Sequence, residues 1–121
     1  MKVPFNKLYI SGNEFNYMHQ AVDSDHLHGD GKLTAACHEK LRELTGANLA
    51  LLTTSGTASL DMAALLCNLS EKDEVIIPSY TFVSTANAFA LRGAKIAWCD
   101  VREDTLNIDE TKIEALINEN T

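Results

Sequence analysis

The spacing of apolar residues changes character near the middle of this 121-residue chain. Residues 1–10 show no period. After them, Ser11-Gly-Asn-Glu14 has capping-box spacing, and Phe15, Met18 and Val22 share one helical face, which predicts a helix from about Gly12 to Val22. The segment Asp23 to Gly31 is dense in turn formers and polar residues, so 23–33 reads as a connecting loop. A second helix is predicted to start near Thr34, carry Leu41 and Leu44 inward and stop at Gly46.

From Leu49 onward, apolar runs alternate with helical patterns. Leu49-Ala-Leu-Leu-Thr53 reads as a short buried strand, and Thr57 to Leu69 is so apolar on every side that it reads as a core helix. Val75-Ile-Ile-Pro78 is the next strand, ended by its proline. Thr81 to Arg92, closed by Gly93, is a helix, and Lys95 to Val101 a third strand rich in β-branched and aromatic residues. Asp109 is placed to cap a last helix over 109–120, with Ile113, Leu116 and Ile117 at helical spacing. Strands alternating with helices predict an α/β class with parallel connections. Three strands would leave sheet edges uncovered, so the sequence-based expectation is a chain cut from a larger domain.

Composition narrows the partners. With 45% hydrophobic and 22% charged residues the chain is expected to fold, and a formal net charge of −7 leaves no basic stripe for nucleic acid or an anionic membrane surface. A single phosphate is still admissible, because backbone amides hold one without net positive charge. The three cysteines, Cys37, Cys67 and Cys99, are read as free thiols serving as small buried hydrophobes in a reducing cytosol. No stretch approaches the ~20 apolar residues of a membrane span, and a cytoplasmic location is expected.

Two segments carry candidate chemistry. Leu51-Leu-Thr-Thr-Ser-Gly-Thr-Ala-Ser59 runs from a strand pattern through a tight turn into a helix start. First-turn amides, the helix dipole, the close approach allowed at Gly56 and the Thr57 hydroxyl together make an anion site, although Ser55 and Thr57 acting only as helix caps explains the same residues. Ile77-Pro-Ser-Tyr-Thr-Phe-Val-Ser-Thr-Ala-Asn87 lies at a second strand end, where α/β folds place ligand crevices. Its Tyr80 and Phe82 suit a flat ring, or else serve as core or interface aromatics.

In order and spacing, Pro4-Phe-Asn-Lys7, Gly29-Asp-Gly31, Ser55-Gly-Thr-Ala-Ser-Leu60, Asp73 to Ala88, Leu91-Arg-Gly-Ala-Lys95, Asp100-Val101 and Asn107-Ile-Asp109 resemble the DegT/DnrJ/EryC1/StrS sugar aminotransferases over the whole chain. The resemblance implies the N-terminal part of the large domain of a type I, aspartate aminotransferase-like fold, with a mainly parallel sheet and flanking helices. Residues 1–33 would form an arm, helix and loop, and 34–121 the α/β portion. It further implies pyridoxal 5'-phosphate (PLP) as cofactor, a homodimer with active sites at the subunit interface, and transfer of an amino group from glutamate to the 4-keto group of a dTDP-4-oxo-6-deoxyhexose for bacterial surface polysaccharides. Gly56, Thr57 and Ala58 would cradle the PLP phosphate and Phe82 would lie against the pyridine ring. Lys7, Gly29 and Asp30 would contact substrate or the partner subunit.

The resemblance also places the family's Schiff-base lysine and pyridine-pairing carboxylate beyond position 121. None of Lys2, Lys7, Lys32, Lys40, Lys72, Lys95 and Lys112 matches the lysine motif, so no catalytic residue is assigned and inactivity of the chain alone is expected. The alternative is a non-catalytic truncated product acting at most as a binding or oligomerisation module. Asp100 is read as structural. His26 and His28 lack a third ligand at useful spacing, so no metal site is expected.

Overall fold

The structure is a computed structural model that describes residues 3–121. The chain divides into two compact units, Met1–Leu52 and Thr53–Thr121. The first holds two helices, α1 (Glu14–Asp23) and α2 (Lys32–Thr45), packed on each other. α2, expected with the α/β portion, therefore falls in the first unit.

α1 begins two residues later than expected because of how Glu14 is used. Its carboxylate accepts from the Ser11 N–H (2.6 Å), the Ser11 hydroxyl (2.8 Å) and the Gly12 N–H (2.9 Å). The serine hydroxyl therefore donates to the glutamate instead of accepting from a helix amide, and only the reverse arm of the capping box forms. These donors, led by the Ser11 backbone N–H, hold the Glu14 carboxyl down to about 2. Phe15, Met18 and Val22 do share a stripe, but all three are exposed. α2 stops at Gly46, whose φ of 71° provides the left-handed cap. Leu41 is half-buried as expected, whereas Leu44 is 72% exposed and not inward-facing.

Leu49–Thr53 is not a strand. Among the described residues it has no ladder partner, and the Leu52 N–H donates instead to His38 Nε2 on α2 (2.9 Å). A strand needs a neighbour for its backbone groups, which apolar periodicity alone does not supply.

The second unit contains α3 (Gly56–Leu66), β1 (Glu74–Pro78), α4 (Val83–Ala90) and β2 (Lys95–Cys99). β1 and β2 pair in parallel with Glu74 opposite Lys95 and Pro78 opposite Cys99. The ladder is continued by the Lys95 N–H to the Asp73 carbonyl (2.9 Å) and the Ser79 N–H to the Cys99 carbonyl (2.7 Å). α4 packs on both strands and on α3, and the core is small: Ala64, Ile77, Ala88, Ala94 and Cys99. α3 is helical as expected but is not a core helix within this unit: only Ala64 is buried and Leu66 is 81% exposed. Cys37 and Cys67 are likewise exposed, so of the three free thiols Cys99 alone is a buried hydrophobe.

Past β2, Val101 bridges Ile108 in antiparallel fashion, shortening the predicted third strand. The expected helix over 109–120 is two 3-10 turns, Glu110–Lys112 and Glu114–Leu116. Asp109 caps the first, accepting from the Thr111 N–H (3.1 Å) and hydroxyl (2.6 Å). The cause is competition for donors and acceptors. Lys112 Nζ reaches Asp100 (3.0 Å) and Asp109 (3.4 Å), Arg102 forks onto Asp104 (3.1 Å) and reaches Glu110 (3.0 Å), and the Glu74 N–H donates to the Asn120 carbonyl (2.7 Å).

Gly93 adopts a φ of 96°, and a Cβ there would lie 3.3 Å from the Glu71 backbone nitrogen. Gly93→Ala is expected to destabilise the second unit by about 1–2 kcal/mol, read as a lower urea midpoint with an unchanged slope. Glu14 gives a pH prediction. Its folded value lies below its ordinary 4.5, so its contribution is fully present above that value and is lost as pH falls toward about 2. Amide-exchange protection of Ser11 and Gly12 should therefore persist at pH 4 and fall below pH 3, and Glu14→Gln should abolish this acid transition.

Candidate functional site

The site is built from the start of α3 and the loop that follows β1, both in the second unit. α3 starts at Gly56 because Ser55, in extended backbone (φ −164°, ψ 163°), accepts the Ala58 N–H on its side-chain oxygen at 3.1 Å. Capping is thus one role of this turn, as one reading of the sequence had it. It does not use up the donors. The Gly56 and Thr57 N–H groups and the Thr57 hydroxyl have no hydrogen-bond partner among the described residues, and nothing lies within 4 Å of where a Gly56 side chain would project. The helix dipole adds about half a positive charge at this end. A phosphate-sized anion could take two backbone N–H groups and one hydroxyl here, with the Ala58 N–H shared with Ser55.

The turn is braced from behind. Thr53 Oγ1 donates to the Ser55 carbonyl (2.8 Å) and lies 2.6 Å from Ser59 Oγ, while the Ser59 N–H donates to the same carbonyl at 3.2 Å. Thr53 and Ser59 were given no role from the sequence. The available signal was a pair of hydroxyls two residues before and four residues after the capping serine.

Phe82 stands between β1 and α4 as the residue preceding the helix, with extended backbone (φ −68°, ψ 141°) and a ring 74% exposed. Tyr80 is exposed as well, so neither is a core aromatic of this unit. The Phe82 carbonyl accepts the Thr85 N–H (3.0 Å), and Thr81 Oγ1 donates to Thr85 Oγ1 (3.0 Å), fixing the turn that carries the ring. The structure thus presents a cradle and an exposed ring on two helix starts whose helices, α3 and α4, pack together.

Lys7, Gly29 and Asp30 lie in the first unit. Lys7 and Gly29 are exposed, and Asp30 adopts a left-handed φ of 68°. Asp30 lines a cavity of about 350 Å³ with Ser24, His26, Gly31, Lys32 and Ala35. The His26 and His28 rings lie against each other with centroids 3.8 Å apart and planes tilted by 37°. Among the described residues no group of three His, Cys, Asp or Glu is placed to hold a metal ion. Asp100 is engaged structurally: Lys112 first, then the Val101 N–H (2.9 Å), hold its carboxyl below the usual aspartate range.

The α/β fold of this chain is that of PLP-dependent aminotransferases of known structure. A solved E. coli GDP-4-keto-6-deoxy-D-mannose-3-dehydratase with bound hydrated PLP superposes on 99% of this chain and 32% of its own, with a TM-score of 0.83 at 22% identity. The chain belongs to the DegT/DnrJ/EryC1/StrS aminotransferase family, whose model matches residues 9–121. Among curated relatives, GDP-perosamine synthase of Caulobacter vibrioides is 30% identical over 93% of this chain. The UDP-4-amino-4-deoxy-L-arabinose–oxoglutarate aminotransferase of Shewanella sediminis is 41% identical over 75%. The chain spans 30% and 24% of the lengths of those two relatives. No helix of the described residues is long and apolar enough to cross a membrane.

Because Ser55 is the only side-chain cap on α3, Ser55→Ala is expected to cost about 1 kcal/mol of stability, measured by thermal or urea unfolding, with Ser55→Asp recovering most of it.

Proposed function

We propose that this chain supplies the cofactor-holding wall of a PLP-dependent enzyme that transfers an amino group from glutamate to a keto sugar nucleotide. The observation that carries the reading is the start of α3, where the Gly56 and Thr57 amides and the Thr57 hydroxyl stand free at the position the family resemblance gives to the PLP phosphate. The residues fit the group. Neutral donors and a helix dipole suit a phosphate dianion, and the exposed Phe82 ring suits one face of a pyridine. When bound, PLP supplies the electron sink for the transfer; the residues of this chain bind and orient it.

Within that class, the substrate proposed is a dTDP-4-oxo-6-deoxyhexose aminated at C4 for bacterial surface polysaccharide, the reaction of a dTDP-4-amino-4,6-dideoxygalactose transaminase. Support comes from the chain-long resemblance carried by Gly29-Asp-Gly31, Ser55 to Leu60 and Asp73 to Ala88 among its motifs. The relatives reported above are named for GDP- and UDP-sugars, so the nucleotide is the part of the proposal most directly open to test. A cytoplasmic homodimer is part of the same reading, in which Lys7, Gly29 and Asp30 contact substrate or the partner. The exposed Phe5, Leu8 and Tyr9 beside Lys7 support a covered arm. None of the lysines present matches the family's lysine motif, so the 121 residues alone are proposed to be inactive.

The test is amino-sugar formation by the complete gene product supplied with PLP, glutamate and, in separate reactions, dTDP-, GDP- and UDP-linked 4-keto sugars, followed by mass spectrometry. Turnover with the dTDP sugar is expected. Turnover confined to another nucleotide would replace the substrate, and no amino sugar from any of the three would overturn the function. Thr57→Ala should raise the Kd for PLP about tenfold or more, since a hydroxyl donated to a charged phosphate contributes about 1.5 kcal/mol or more.

A further inference from the structure

The donors of the cradle are backbone groups, so their aim depends on what holds the peptide that carries them. The peptide joining Ser55 to Gly56 is the critical one. In a planar trans peptide the carbonyl and the N–H point in opposite directions, so fixing the Ser55 carbonyl fixes the Gly56 N–H. That carbonyl is held from the helix side by the Ser59 N–H (3.2 Å), as at any helix start, and in addition by Thr53 Oγ1 (2.8 Å).

Proton bookkeeping shows how the two hydroxyls cooperate. Thr53 has one O–H, and its short contact to the Ser55 carbonyl uses it. The 2.6 Å contact between Thr53 and Ser59 must then be made by the Ser59 proton, and the 3.4 Å approach of Ser59 Oγ to the Ser55 carbonyl is the longer branch of that same donor. The result is a relay, Ser59 O–H to Thr53 Oγ1 and Thr53 O–H to the Ser55 carbonyl, in which each bond polarises the next. It ties the segment before α3 to the first turn of α3 across six residues and closes behind the Gly56 amide.

We infer that Thr53 and Ser59 are positioning residues for the phosphate cradle: through the Ser55 carbonyl they aim the Gly56 N–H outward at the anion without touching it. This rests on the PLP reading of the site given above. Neither hydroxyl contributes a charge or contacts the ligand, and each acts only on the orientation of one peptide. A bare helix start would leave that peptide free to rock, because Thr53 precedes the helix and no strand ladder restrains it.

The experiment measures equilibrium binding of PLP, and of pyridoxal without the phosphate, to the complete gene product and its variants. Thr53→Val removes the relay while keeping the side-chain shape, and is expected to raise the Kd for PLP about fivefold, the effect of one neutral hydrogen bond. Pyridoxal binding should be unchanged, and Thr53→Ser should restore PLP binding. A fold defect would weaken both ligands and would not separate them. Ser59→Ala, at an exposed position of α3, is the second variant and should reproduce the selective loss to a smaller extent, since the Thr53 bond to the carbonyl remains. The inference is overturned if the parent binds PLP and both variants bind it equally well, or if PLP and pyridoxal weaken together. Failure of the parent itself to bind PLP overturns the site reading, and this inference with it.

Discussion

The parallel pairing of β1 with β2 is the constraint on which the second unit depends. Parallel neighbours cannot be joined by a tight turn, so the chain must leave the carboxyl end of β1, cross over and return to the amino end of β2. α4 is that crossover, and it is short, eight residues, because the strands are five residues each. One consequence is functional. The loop from Ser79 to Phe82 has to sit at the carboxyl end of the strand, which is where open α/β folds gather ligand-binding groups. The Ser79 N–H bond to the Cys99 carbonyl locks that end. Phe82 is exposed there because β1 ends at Pro78 and α4 does not begin until Val83, which leaves it in the connecting loop.

Much of this was legible in the sequence, and the divide between what was and what was not is physical. β1, α4 and the closing Gly93 were found because each carries a local signal: a β-branched run ended by proline, a helical pattern, a residue able to adopt positive φ. The start of α3 was legible for the same reason, since Ser-Gly-Thr before an apolar helix specifies a helix start by itself. What failed were inferences that needed a partner. Leu49–Thr53 has strand composition, yet its Leu52 amide goes to His38. α3 has core composition, yet its Leu65 and Leu66 are uncovered. Periodicity says which residues would be buried if a surface were offered; it does not say whether one is.

The segment 100–116 shows a different failure. Ile113, Leu116 and Ile117 have helical spacing, but the local polar groups outbid the helix. Asp109 binds both donors of Thr111, Lys112 bridges Asp100 and Asp109, and Arg102 clamps Asp104 and Glu110. All but the half-buried Asp109 are exposed, and each pair is individually worth little. Together they hold the chain at Asp109 in an orientation that suits 3-10 turns, and Asp and Thr favour such local bonds over helix propagation. The carboxyls of Asp100, Asp104 and Asp109 are all held below their ordinary range by these partners, the first by Lys112, the second by Arg102 and the third by Thr111. Three apolar residues, Ile113, Leu116 and Ile117, spanning little more than one turn are too weak a signal to compete.

The charge of the chain bears on the proposed site. A formal net charge of −7 opposes a phosphate dianion, and no lysine or arginine occurs between Arg42 and Lys72. The groups at the start of α3 resolve the conflict because none of them is ionic. Two free amides, a hydroxyl and the dipole of an eleven-residue helix act at short range, where the distant carboxylates are screened. Such a cradle discriminates by geometry more than by charge, since a donor aimed a few tens of degrees away contributes little. That places the demand on rigidity: the orientation of one peptide matters more here than the sign of the field, and a turn carrying Thr53, Ser55 and Ser59 spends three hydroxyls on its own backbone.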